Sequence, residues 1–385
     1  MWQTLRCSPK IFCMSIKKLV FLGAGHAHLY ALAAFKRSPR IDTDIHLITP
    51  YDHVVYSGMV PGMVAGHYSV DGCTISLPRL LDGSAIKIAY AACTGIDTAA
   101  QQVRLSNGTT LHYDVLSLNT GSLMDKEVID ALIPGAKEHA MFVRPMEQFV
   151  KLWPQVLDHA LSRSLRISVI GAGAAGIELA MALQHQLPHC HVTLVTGPVP
   201  PATGYSAGVQ KRVMQALKDR HITVLQDSCV RMDGQQLFLA SGSSLACDIP
   251  LMTIGGHAPA WLADSGLALD ERGYVAVNAF QQSTSHPNVF AAGDIASRVD
   301  TPHAKSGVFA VRSGAALHHN LHATLTKKPL KAHPIALRTL NLISCGGRIA
   351  IASWGTFSQG LTLQGHWVWR WKDVIDRRWL RLYKR

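Results

Sequence analysis

Apolar and polar positions along the chain follow one order that appears twice. Lys18 to Leu22 is a short apolar run stopping at Gly23, and a helical spacing follows through Ala27, Leu29, Leu32, Ala33 and Phe35. Asp44 to Ile48 reads as the next strand. Strand, turn, helix and strand within about thirty residues begin a parallel sheet. Between 85 and 118 the period changes to two: Ile86 to Ala91, Gly95 to Asp97, Gln102 to Leu105 and Thr110 to Tyr113 alternate, with Asn107-Gly108 as a hairpin turn. Asp114 to Asn119 then reads as a buried strand closing on Thr120-Gly121.

The second half repeats the scheme. Arg166 to Ile170, His191 to Val195 and Thr223 to Leu225 are strands, separated by helical patterns at Ala174 to Gln184 and Val209 to Arg220. Gln235 to Leu239 and Leu245 to Cys247 form a hairpin, and Ile249 to Ile254 ends on Gly255-Gly256. Phe290 to Ala296 is a last strand of small residues, followed by helical spacing through Val308, Val311, Ala315, Leu317 and Leu321. A duplicated strand-helix architecture implies two nucleotide-binding units, with the chain returning to the first after completing the second. The two prolines of Met141 to Pro154 place a linker there.

Both units open on a glycine turn. Gly171, Gly173 and Gly176 follow a strand and open a helix. The first makes the turn, the second admits a pyrophosphate, and the third lets helix pack on strand. The earlier turn, GAGHAH, keeps Gly23 and Gly25 but has His28 where the third glycine belongs. That histidine implies a wider gap between helix and strand or a side chain turned to the cofactor, and His26 and His28 are both candidates to contact it. Glu178, just past the intact turn, is a candidate for the nicotinamide side. The ribose carboxylate of such units falls near Thr196 in one and at Ile48-Thr49-Pro50 in the other, and neither position is acidic. The choice between NADH and NADPH therefore stays open, with a lean to NADH.

Composition narrows the partners. With 385 residues, 48% of them hydrophobic and 16% charged, the chain builds a sizeable packed core rather than a disordered coil. The net charge of +12 suits dinucleotides or an anionic membrane face. Nucleic acid is not expected, because no long basic run lies outside the C-terminus. Eight cysteines without a CxxC pair read as reduced thiols in a cytoplasmic chain, and no metal site is expected. Residues 1 to 13 read as a loose extension without the apolar stretch of a signal peptide. The longest apolar run, Ile167 to Leu183, is broken by three glycines and Glu178, so no transmembrane helix is expected.

The set GAGHAH, NTGS at Asn119 to Ser122, GAGAAGIELA, TIGGHAP at Thr253 to Pro259 and FAAGD resembles the pyridine nucleotide-disulfide oxidoreductase superfamily. YSGMVPGMVAGHYS, KSGVFAVRSG, NLISCGGRIAIASWG and WKDVIDR resemble a narrower group: flavoproteins fused to, or encoded beside, selenide, water dikinase. These are relatives of type II NADH dehydrogenases and sulfide:quinone oxidoreductases. The resemblance implies an α/β fold of two doubly wound Rossmann-like dinucleotide-binding domains, the FAD domain discontinuous and the NAD(P) domain inserted, plus a C-terminal tail. The boundaries expected are 14–145 and 266–325 for FAD, 146–265 for NAD(P)H and 326–385 for the tail.

On that resemblance FAD and NAD(P)H are the cofactors. Gly23, Gly25, Thr120, Gly121, Gly293 and Asp294 would hold FAD, and Gly171, Gly173, Gly176 and Gly255 would hold NAD(P)H. Lys305 is the implied catalytic residue, near the flavin pyrimidine edge. YDHVVYSGMVPGMVAG contains no cysteine where disulfide reductases carry a redox pair, so a dithiol relay is not expected. Hydride transfer from NAD(P)H to flavin, with electrons leaving to a quinone-like acceptor, is the expected activity. Two rivals remain: a selenium or sulfur redox flavoprotein acting with selenide, water dikinase, and a non-catalytic flavin-holding interaction protein. At 367–385 an apolar stripe of Val368, Trp371, Ile375, Trp379 and Leu382 is flanked by arginines and lysines. It suits the headgroup zone on the inner face of the cell membrane. The competing reading packs this helix on its own domain or in a homodimer.

Overall fold

A computed structural model describes residues 16–336, 338–355 and 360–384 of the chain. Residues 1 to 13 lie outside the described residues. The first glycine turn joins β1 (Lys17–Leu22) to α1 (His26–Arg37), and β2 (Thr43–Thr49), β3 (Lys87–Tyr90) and β4 (Val115–Leu118) follow in the same sheet. After the first unit come β5 (Met141–Phe142), α2 (Met146–Ser162), β6 (Arg166–Ile170), α3 (Ala174–Gln186), β7 (His191–Val195), α4 (Ala207–Asp219), β8 (Thr223–Leu225) and β9 (Ile249–Met252). Next, β10 (Val289–Ala291) pairs in parallel with β4, so the chain returns to the first sheet, and α5 (Gly307–Leu325) packs against α1. The two five-stranded parallel sheets have the orders β10-β4-β1-β2-β3 and β5-β9-β6-β7-β8. In each, the glycine-turn strand stands at the centre, where its carboxyl end opens at the point of reversal in strand order.

Two expectations need correction. The Met141 to Pro154 stretch is β5 and the first half of α2 rather than a linker. Pro145 precedes the helix as its N-cap, Pro154 lies inside it, and Phe149, Val150 and Trp153 form its buried face. The region after 326 is more than a tail. It contains an antiparallel sheet, β11 (Thr339–Ser344), β12 (Ala350–Gly355) and β13 (Gly360–Gly365), which runs directly into α6 (His366–Arg381).

Helix α6 packs on its own domain, and the stripe of Val368, Trp371, Ile375, Trp379 and Leu382 is divided between its inner and outer sides. Its buried row is Val368, Lys372, Asp376 and Leu380, spaced by four, with Trp369 beside it. Val368 and Trp369 pack on Ala350 and Ala352 of β12. Of the apolar stripe, Trp371, Ile375 and Leu382 are 42%, 38% and 59% exposed, whereas Val368 is buried and Trp379 stacks on His26. The interior contacts of the helix are thus partly polar, and a second apolar row, Trp367, Trp371, Val374, Ile375 and Leu382, is exposed on the outer side.

Candidate functional site

The first glycine turn borders a cavity of about 450 Å³. Gly23, Gly25, His26, Thr120, Gly121, Gly293 and Asp294, all expected site residues, line it, as do Ser57, Arg144 and Gly307. Close backbone approach is enforced here: a Cβ on Gly25 would lie 2.6 Å from the Asn119 carbonyl oxygen. Asn119 organises the turn. Its Oδ1 accepts hydrogen bonds from the amides of Ala27 (3.1 Å) and His28 (3.2 Å), capping α1 in place of an N-cap side chain, and its Nδ2 donates to Ala292. One side chain at the end of β4 thereby joins α1 to the returning strand, while its backbone amide bonds Leu22 of β1.

His28 does not face the cavity. Its Nδ1–H donates to the Gly23 carbonyl at 2.6 Å, its Nε2 is 2.8 Å from the Ser117 hydroxyl, and its ring sits edge-on to Phe21. The imidazole fills the space that a third glycine would have closed, and burial holds its pKa down at about 3. His26 does line the cavity. It stacks on Trp379 of α6 (5.2 Å between centroids) and leans on Tyr56, with Nε2 sealed from solvent and without a partner. Burial lowers its pKa to about 4, so it too is neutral at pH 7. Thr120 Oγ1 is likewise sealed and unpartnered.

Arg144 was not legible as a site residue. It follows β5 of the second sheet yet reaches into the first cavity, where Nη1 donates to the Ser122 hydroxyl at 2.6 Å and to Asp294 Oδ2 at 3.1 Å. It is the one lysine or arginine among the described residues lining that cavity. Lys305 stands apart, in an adjoining cavity of about 250 Å³ that shares Gly293, Asp294 and Ala310 with the first. Its Nζ donates to the Ala296 carbonyl at 2.9 Å and lies 3.6 Å from the centre of the Tyr274 ring, and burial lowers its pKa to about 8.

In the second turn, Gly171 adopts φ +136, and its amide bonds the Val195 carbonyl of β7. A Cβ on Gly176 would lie 2.7 Å from Thr253 Oγ1, so the third glycine is required for helix to meet strand. Gly173 and Gly255 each face open space. Glu178 lies behind the turn: its carboxylate accepts the Ser344 amide of β11 at 2.7 Å, and burial raises its pKa.

Two glycine turns at the carboxyl ends of parallel strands, the first opening on a lined cavity, have the form of paired dinucleotide sites. The sequence profile of the pyridine nucleotide-disulphide oxidoreductases matches residues 17–314. The chain belongs to that family. It is an NAD(P)H-dependent oxidoreductase whose cofactors are FAD and NAD(P)H, NADH dehydrogenase-like and related to quinone reductases. An NADH dehydrogenase-like protein of Mycobacterium tuberculosis is 28% identical over 305 residues, covering 74% of each chain. The demethylphylloquinone reductase of Synechocystis is 24% identical over 332 residues, covering 81% of each. Among solved structures, the sulfide:quinone oxidoreductase of Aquifex aeolicus superposes with a TM-score of 0.79 at 17% identity, over 96% of this chain and 91% of that one.

The first cavity fits FAD by its chemistry. It offers a close-approach glycine, a helix N-terminus, and a guanidinium paired with the carboxylate of Asp294. Among the described residues no helix is long and apolar enough to cross a membrane, and no cluster of metal-ligating side chains occurs.

Proposed function

We propose that this enzyme passes electrons from NAD(P)H through FAD to a quinone-like acceptor dissolved in a membrane, with α6 lying on the membrane surface. When bound, FAD takes the hydride of NAD(P)H and gives up its electrons to the acceptor. The protein supplies position and field. The N-terminus of α1 and the guanidinium of Arg144 favour the diphosphate, and Gly25 lets backbone approach it. Asp294 would hold the ribityl chain. The N-terminus of α5, through Gly307 and Ala310 on the cavity wall, favours negative charge at that end. Lys305, in the adjoining cavity that shares Asp294, would add a further cation near that end.

One observation carries the acceptor and its location. The outward face of α6 presents Trp367, Trp371, Val374, Ile375 and Leu382, with Arg370, Arg378 and Arg381 exposed beside them, while Trp379 on the same helix stacks on His26 of the cavity wall. Trp354, Leu361 and Leu363 extend the apolar surface, since strand pairing puts them on the sheet face that α6 covers. An apolar, arginine-flanked surface thus lies one side chain away from the cavity. The demethylphylloquinone reductase and sulfide:quinone oxidoreductase among the similar proteins support a quinone as acceptor. Anaerobic stopped-flow mixing tests the sequence of steps. NADH or NADPH should bleach the flavin band, and a naphthoquinone should restore it within the same turnover. A bleached flavin that no quinone reoxidises would remove the quinone, and a flavin that neither nucleotide bleaches would remove the hydride route.

A further inference from the structure

We infer that Thr196 leaves the 2′ position of the adenosine ribose unread in the second cradle, so that NADH and NADPH serve this enzyme with comparable efficiency. The argument starts from register. β6 and β7 pair in parallel with Ile170 opposite Val195, and the Gly171 amide bonds the Val195 carbonyl. Thr196 therefore stands at the strand end beside the first glycine, where a dinucleotide unit carries the acid that binds the ribose 2′-hydroxyl, or lies near the arginine that accepts a 2′-phosphate. Its hydroxyl is turned inward onto the carbonyls of Gly197 (3.2 Å) and Leu225 (3.4 Å), and the residue is buried.

Among the described residues, the loop that follows Thr196 does not replace the missing charge. Residues 196–210, TGPVPPATGYSAGVQ, contain no charged side chain at all. The first cation after them is Lys211, and Arg212 beside it reaches the Thr362 carbonyl of β13. Asp227 is adjacent to Gly197 through its backbone carbonyl, but its carboxylate accepts the amides of Ser228 (2.7 Å) and Ser241 (3.4 Å). The atom nearest to a Cβ built on Gly197 is neutral, Ser228 Oγ at 3.8 Å. A charge-assisted hydrogen bond to the ribose is worth about ten- to a hundredfold in affinity, and this cradle builds neither version of it.

The test measures binding apart from turnover. Titration calorimetry of the FAD-loaded protein with ADP-ribose and with 2′-phospho-ADP-ribose should give dissociation constants within about tenfold of each other. A larger ratio in either direction overturns the inference. Thr196→Glu should shift the ratio at least tenfold toward the unphosphorylated ligand. Gly197→Asp, in a left-handed conformation that aspartate tolerates, makes the same test should the buried position not accept glutamate. A ratio that moves in neither variant overturns the assignment to this strand end. The kinetic arm rests on the proposed hydride route: NADH and NADPH should reduce the flavin with second-order constants within about tenfold. If both fragments bind equally but neither nucleotide bleaches the flavin, that route fails and the ribose inference stands.

Discussion

His28 shows how one substitution in a glycine turn is absorbed. The ring is neutral in the fold, with a pKa of about 3 against 6.5 for an ordinary histidine. Between those values the unfolded chain binds a proton that the fold refuses. Stability therefore rises with pH across that window and is lost as pH falls through it, at about 1.4 kcal/mol per pH unit for this residue. His26, lowered to about 4, acts in the same direction. Replacing His28 by Gln, which can donate and accept at the same two partners, should make the stability profile shallower by about one proton's worth between about pH 4 and 5.5. Urea unfolding in fixed excess FAD measures this, and an unchanged slope assigns the acid sensitivity to other groups. His28→Ala should cost about 2–4 kcal/mol at pH 7, through the emptied space and the stranded Gly23 and Ser117 groups. At this scale the glycine turns were legible because spacing alone dictates where backbone must approach. The partners of His28 and the reach of Arg144 were not, since Ser117 and Asp294 lie 89 and 150 residues away in sequence.

At the scale of elements, α6 is held by a polar latch. Lys372 Nζ bonds Asp376 Oδ2 at 2.7 Å and the Gly58 carbonyl at 2.5 Å, while the Tyr56 hydroxyl donates to the other Asp376 oxygen at 3.0 Å. Tyr68 and Arg377 share Asp373 one turn earlier. Burial raises the pKa of Asp376, and removing its cation would strand a carboxylate beside Glu178 and Asp373. Lys372→Met should therefore destabilise the protein by about 3–5 kcal/mol, and the pair Lys372→Met with Asp376→Leu by clearly less. Thermal melts of both variants decide it; equal losses would mean that Asp376 does not depend on the lysine. The latch explains why the helix was legible but its setting was not. Apolar periodicity marks a stripe without saying which of its members face inward, and no apolar pattern announces that Lys372 and Asp376 are buried between Val368 and Leu380. The sheet of β11 to β13 was missed for a different reason: Leu340 and Leu342 of β11 and Leu361 and Leu363 of β13 alternate with other residues over only a few positions, and the central strand AIASWG mixes alanine, serine and glycine with apolar residues. The parallel sheets, buried on both faces, read plainly as apolar runs.

For the whole molecule, the question is what the outward face of α6 is for. A helix kept in place by Lys372 and Asp376 has no need of Trp371 and Ile375 for folding, and a protein that meets only water gains nothing from exposing them beside Trp367 and Val374. The proposed interfacial insertion would account for both the tryptophans and the arginines around them, and the surplus of positive charge would add attraction to anionic lipid. Trp371→Glu with Ile375→Glu should then leave the melting temperature and the rate of flavin reduction by NAD(P)H unchanged, because neither residue touches the cavity or the latch. The same double variant should stop co-sedimentation with vesicles of anionic phospholipid. It should also slow reduction of a long-chain quinone held in those vesicles, while a water-soluble short-chain quinone is reduced as before. That division separates a membrane-docking face from one that pairs two copies of the chain: a pairing face would change the sedimentation coefficient of the free protein and leave the vesicle result untouched.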